Sequence, residues 1–157
     1  MSDGGRTPTV LAFDYGLRRI GVAVGNTLTA TAEPLTTITA RGGEADWSAI
    51  AACLGAWRPG MLVVGVPYNI DGTASGLTGK ARAFATDLGS RFGLPVTTVD
   101  ERLSSREAED ALRGRRRSGE LSRRIRRGDI DREAACVLLR QWLEGHAHGH
   151  SVMEQRQ

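Results

Sequence analysis

The chain has 157 residues, enough for one domain with a sizeable core, and its 40% hydrophobic and 25% charged content is that of an ordinary globular protein. No apolar run reaches the roughly 18–20 residues that cross a bilayer, and the polar start MSDGGRTPT lacks the apolar centre of a signal peptide, so a cytoplasmic protein with no membrane partner is expected. The net charge of +3 is unevenly spread: Arg113–Arg127 holds eight arginines against Glu120, a local +7 that leaves the rest of the chain near −4.

Thr9–Phe13 (TVLAF) is a continuous apolar run and reads as a buried central strand. After the turn Asp14-Tyr15-Gly16, Ile20–Val24 returns as the second strand of a hairpin, and Leu35–Ile38 is a weaker third strand following Pro34. Asp46–Trp57 carries apolar residues at spacings of three and four and predicts a helix. Met61–Val66 (MLVVGV) is another buried strand, followed by the loop Pro67–Gly72. Thr78–Phe92 is a helix stopped by Gly93, and Pro95–Val99 is a strand ending at Asp100-Glu101. Ser104–Leu112 reads as a helix whose Ser104 and Glu107 have capping-box spacing. Residues 114–128 are arginine-rich with little apolar content and predict a flexible basic loop. Ile130–Leu143 is the last helix, and 146–157 a polar, disordered tail in which His146, His148 and His150 read as solvated. Cys53 and Cys136 sit in Ala/Leu-rich helical stretches as small apolar residues, not as a disulfide or a metal site.

This order is an antiparallel meander feeding parallel βα units. It predicts one α/β domain over residues 1–157, a mixed five-stranded sheet with helices on both faces.

Within that frame three acids stand out. In the last helix Asp131, Ala134, Ala135, Leu138, Leu139 and Trp142 fall at offsets 0, 3, 4, 7, 8 and 11 and share a face that is otherwise apolar; Arg132, Glu133 and Arg140 point elsewhere. A carboxylate aligned with a buried stripe calls for a metal ion or a cation beside it, although the helix dipole alone also favours an acid in the first turn. Asp14 ends a strand with no other polar residue after Thr9, and Glu101 ends another beside Asp100 and Arg102. Sites in open sheets form outside the carboxyl ends of parallel strands, where both fall. Spacing alone does not separate Glu101 from Asp100.

Three carboxylates without a histidine cluster suit a hard cation, Mg²⁺ or Mn²⁺, and a pair of such ions can clamp the attacking and leaving oxygens of a phosphodiester. The arginine segment would draw phosphates without reading sequence. Arg115, Arg116, Arg123 and Arg124 within it, Arg18 at the hairpin tip, Asn69 in the PYNIDG loop and Arg102 beside Glu101 are the candidate substrate contacts. For Arg18 and the arginine run the competing reading is a solvated surface; for Asn69 and Asp71 it is turn chemistry.

The segments LAFDYGLRRIGVAVGN at 11–26, VVGVPYNIDGT at 63–73, ARAFATDLGSRFGLPVTTVDERLSSREAE at 81–109 and IDREAACVLLRQWLE at 130–144 carry a family pattern. In this order they resemble the YqgF family of pre-16S ribosomal RNA nucleases, also described as Holliday-junction-resolvase-like. The resemblance implies a ribonuclease-H-like fold, acidic metal-binding residues at Asp14, Glu101 and Asp131, and trimming of ribosomal RNA precursor during ribosome maturation. Leu17 departs from the pattern, standing where a small hydroxyl residue often follows the first Asp-x-Gly; this removes a phosphate contact but no metal ligand.

The expected partner is nucleic acid, either precursor rRNA on ribosomal particles or branched DNA, handled by a monomer or a homodimer. Three other readings compete: a resolvase acting in DNA recombination, a nucleic-acid-binding factor without catalysis, and an ATP-binding kinase-like domain. The last normally needs two such domains around its nucleotide, and 157 residues supply one.

Overall fold

The computed structural model describes residues 7–68, 73–100 and 127–156. Six strands form one sheet: β1 (Thr9–Asp14), β2 (Arg19–Asn26), β3 (Thr31–Arg41), β4 (Glu44–Ala45), β5 (Met61–Val66) and β6 (Val96–Asp100), in the order β4-β3-β2-β1-β5-β6. β1 to β4 are antiparallel neighbours, whereas β5 runs parallel to both β1 and β6. The helices are α1 (Trp47–Trp57), α2 (Gly76–Phe92) and α3 (Arg127–Arg156).

Alternation along the strands separates two cores. Leu11 and Phe13 of β1, Ile20 and Val22 of β2 and Leu62 and Val64 of β5 point to one face, where α1 and α2 cover them. Val10, Ala12, Ala23 and Val63 point to the other, against Ala135, Leu138, Leu139 and Leu143 of α3. Helices therefore lie on both faces of a mixed sheet, as expected. The sixth strand is the two-residue β4, too short to leave a pattern in sequence.

Several boundaries differ for identifiable reasons. β3 begins at Thr31 and runs through Pro34, because Pro34 sits where the β2–β3 register shifts at Val22/Ala23 and a missing N–H is tolerated. α1 is capped by Asp46, whose carboxylate accepts from the Ala49 N–H. α2 starts before Thr78: Ser75 is its N-cap in a reciprocal box with Thr78, with Thr rather than Glu or Gln at the third position. The buried Thr78 hydroxyl also donates to the Pro67 carbonyl, tying the end of β5 to the start of α2. An isolated bridge pairs Tyr68 with Ala74 between β5 and α2. The backbone of α3 runs to Arg156, past the end of the apolar stripe at Leu143 and through the segment whose composition predicts a disordered tail; no proline stops it.

Cys136 is buried and Cys53 half-buried, and neither forms a disulfide; burial pushes the Cys53 thiol above its ordinary pKa. Among the described residues no helix is long and apolar enough to cross a membrane. The expected helix Ser104–Leu112 and residues 114–126 of the expected loop 114–128 lie outside the described residues; the last two residues of that loop, Arg127 and Gly128, instead open α3.

Candidate active site

One row of residues crosses the sheet near the carboxyl ends of its parallel strands: Thr37 of β3, Gly21 of β2, Asp14 of β1, Gly65 of β5 and Val99 of β6. Asp14 has the parity of Val10 and Ala12, so its side chain rises on the α3 face. Both its cross-strand neighbours are glycines, and no side chain from β2 or β5 flanks the carboxylate in this row. The carboxylate is half-buried.

α3 reaches this row through the same glycine. A methyl group placed on Gly21 would lie 1.9 Å from the Asp131 carbonyl oxygen and 3.1 Å from the Arg132 nitrogen, both backbone atoms. A methyl on Gly25, further along β2, would lie 2.8 Å from the Leu139 side chain. Glycines in a strand interior often mark a close backbone approach, and here they let the helix settle onto β2. Asp131 is thereby brought over the strand position directly beside Asp14.

The first turn of α3 is held by charge. Asp129, largely buried, pairs with Arg132, which also donates to the Thr37 hydroxyl at 3.3 Å. The Arg19 Nε–H donates to the Asp131 carboxylate at 2.6 Å, between side chains 34% and 24% exposed. The carboxylate on the apolar stripe thus has the cation that its position calls for, supplied by the first residue of β2. Helix periodicity turns Glu133 away from the stripe, yet Glu133 is buried, 3.7 Å from Arg140. α3 is covered on more than one side, since Ala134 and Val137 form a second small apolar cluster.

The opposite side of the DYG turn is anchored separately. Tyr15 points into the α1/α2 core and donates its hydroxyl to the Gly43 carbonyl at 2.5 Å; burial, then the nearby Glu44 carboxylate, holds its pKa above the ordinary value. The phenol stays protonated as a donor that ties the turn to the β3–β4 hairpin.

Of the candidate residues, the structure brings Asp14 and Asp131 to one place. Arg18 is exposed in the β1–β2 turn, its carbonyl accepting from the Ala40 N–H. Asn69, Asp71, Glu101, Arg102, Arg115, Arg116, Arg123 and Arg124 lie outside the described residues. Among the described residues no three His, Cys, Asp or Glu side chains gather as a metal-binding group. Val99 packs with the α3-side core while Val96 packs with the other, so alternation puts Asp100 on the face away from Asp14. Arg19, Gly21 and Gly65 are site residues that the motifs alone do not single out. Their signal is the strand alternation that carries Arg19, Gly21 and Ala23 on one face.

The family model described as RuvX, Holliday junction resolvase, matches residues 8–145. A relative from Paraburkholderia phymatum, provisionally named pre-16S rRNA nuclease, is 47% identical over 90% of this chain and 88% of its own length. Relatives of the same name from Cronobacter sakazakii and Burkholderia lata are 46% and 50% identical over 88% of this chain, and over 97% and 91% of theirs. Among solved structures, RuvC of Thermus thermophilus in complex with a Holliday junction substrate matches with a TM-score of 0.55 at 18% identity, over 89% of this chain and 95% of that one. The yeast mitochondrial Holliday junction resolvase matches at 0.52 and 11% identity, over 97% and 85%. The two structural matches carry the fold, which is ribonuclease-H-like, and the sequence matches carry the family: this chain belongs to the RuvX family of resolvase-related nucleases, the group that its DYG, PYNIDG and VDERLSS motifs resemble.

Proposed function

We propose that this protein is a divalent-metal-dependent nuclease that hydrolyses phosphodiester bonds in precursor 16S ribosomal RNA. The observation that carries the reading is the placement of Asp14 between two strand glycines with Asp131 of α3 seated beside it. The donor set is carboxylate oxygen, which fits Mg²⁺ or Mn²⁺. Asp14, Asp131 and Glu101 would hold the ions, of which we propose two; bound there, they supply an activated water and neutralise charge on the scissile phosphate. Glu101 is preferred over Asp100 because the family resemblance assigns it, and because strand alternation turns Asp100 to the face away from Asp14.

The chain's own residues supply position and charge. Asp14 is fixed by the β1 ladder on both sides, and Asp131 by the Arg19 pair and by the seat of α3 on Gly21. Arg18, Asn69 and Arg102 would contact the phosphate or sugar near the cut, and Arg115, Arg116, Arg123 and Arg124 the strand leading to it. A second reading, cleavage of four-way DNA junctions, is favoured by the description of the matching family.

Purified protein is tested with Mg²⁺ or Mn²⁺ on ribosomal precursor RNA and on a four-way DNA junction. We expect cuts in the RNA at lower enzyme concentration than in the junction. The reverse preference selects the resolvase reading, and binding without cleavage of either selects a non-catalytic factor. Each phosphate that a protein neutralises on a single strand adds about 0.7 to the slope of log affinity against log salt. Replacing Arg115, Arg116, Arg123 and Arg124 together by Gln should therefore lower that slope by about 3 on single-stranded RNA. An unchanged slope removes that segment from the substrate path.

A further inference from the structure

We infer that Arg19 is the resident counter-ion of Asp131 and tunes the affinity of the site for a divalent cation by competing with it for the carboxylate. The inference rests on the reading that Asp14 and Asp131 hold that cation.

Arg19 opens β2 and shares the face of Gly21, so its side chain rises beside the first turn of α3. Gly21 lets the helix backbone close onto the strand, and within that approach the guanidinium reaches Asp131 at 2.6 Å. Asp14 lies one strand over from Gly21, so two carboxylates occur in one neighbourhood. Like charges brought together disfavour each other, and an adjacent guanidinium offsets this when no metal is bound. A hard cation on Asp131 needs the same carboxylate oxygens, so the guanidinium must yield at least part of its hold. Two ligands that exclude each other from one group weaken each other by equal factors. Once displaced, the guanidinium keeps its charge beside the site, and its planar fork suits a phosphate oxygen. Arg19 is on this account a positioning residue that passes from carboxylate to substrate. Arg18, its exposed neighbour, is not so placed.

The test measures Mn²⁺ affinity of the full chain without nucleic acid, by calorimetry or by the electron paramagnetic resonance of free Mn²⁺. Both partners are partly solvated, which limits the effect, so Arg19→Gln should bind Mn²⁺ about three- to tenfold more tightly than wild type. Arg19→Lys keeps a cation but loses the directed Nε–H, and should fall between the two. A role confined to bracing α3 against β2 would lower the melting temperature without tightening Mn²⁺. Unchanged or weaker Mn²⁺ binding in Arg19→Gln overturns the inference. If that variant is unfolded at the assay temperature, Arg19→Lys decides, and an affinity equal to wild type overturns it. Asp131→Asn separates the two readings. If it loses Mn²⁺ while the Arg19 variants match wild type, only the counter-ion role fails; if it binds Mn²⁺ as wild type does, the metal assignment fails and the counter-ion role with it.

Discussion

Asp14→Asn is expected to reduce single-turnover cleavage by on the order of a thousandfold or more while leaving the melting temperature at its wild-type value and metal-free RNA binding undiminished. The substitution keeps the shape of the side chain, and the position lies at the end of β1, where the backbone ladder is unaffected. What it removes is a negative oxygen donor. Gly21 and Gly65 flank it in the sheet, so no neighbour in the row supplies a substitute. A thousandfold loss corresponds to about 4 kcal/mol of transition-state stabilisation. RNA binding measured in EDTA should stay level or tighten slightly, because a carboxylate near a phosphate repels it. Equal cutting by wild type and Asp14→Asn would show that the hydrolysis comes from elsewhere.

How much of this can be read in the chain depends on how local each signal is. β5 (Met61–Val66) coincides with the predicted strand, because a short apolar run ended by proline leaves little choice. α1 lies within one residue of its prediction, since Asp46 is a cap that spacing also marks. β3 is longer than its pattern predicts because Pro34 argues against a strand interior, and only pairing with the irregular point of β2 permits it. Within the site, Asp131 is legible from periodicity, and so is its need for a cation. That Arg19 supplies the cation depends on where β2 begins: a strand opening at Ile20 leaves both arginines in the turn, whereas one opening at Arg19 puts it on the α3 face. Gly21 has no functional reading in the sequence, because its meaning lies in a helix more than a hundred residues further on. The ordering of Glu101 above Asp100 comes from family resemblance. The sheet adds the physical reason on the Asp100 side, since alternation turns that residue away from Asp14.

The seat of α3 leads to the second large effect. Gly21→Ala is expected to lower stability by about 3 kcal/mol, or about 6–12 °C in melting temperature for a chain of this length, and to abolish cleavage. The added methyl would lie 1.9 Å from a backbone oxygen of α3, where no rotamer change relieves the overlap, so strand and helix must part. Their separation moves Asp131 relative to Asp14, and misplacement by about 1 Å at a reacting centre can cost about a hundredfold in rate on its own. Two glycines serve as controls. Gly25→Ala meets the Thr31 carbonyl at 2.7 Å and the Leu139 side chain at 2.8 Å, so a partly yielding contact predicts a smaller loss. Gly55→Ala, inside α1 with nothing within 4 Å, should raise stability by about 0.5–1 kcal/mol through helix propensity. Calorimetric melting of the three variants, beside their cleavage rates, checks the order. A Gly21→Ala protein that melts and cuts like wild type would mean that α3 does not rest on β2 there. Asp131 would then be held beside Asp14 by the Arg19 pair without the close seat on Gly21, because that seat is the approach of a helix carbonyl to a strand residue without a side chain.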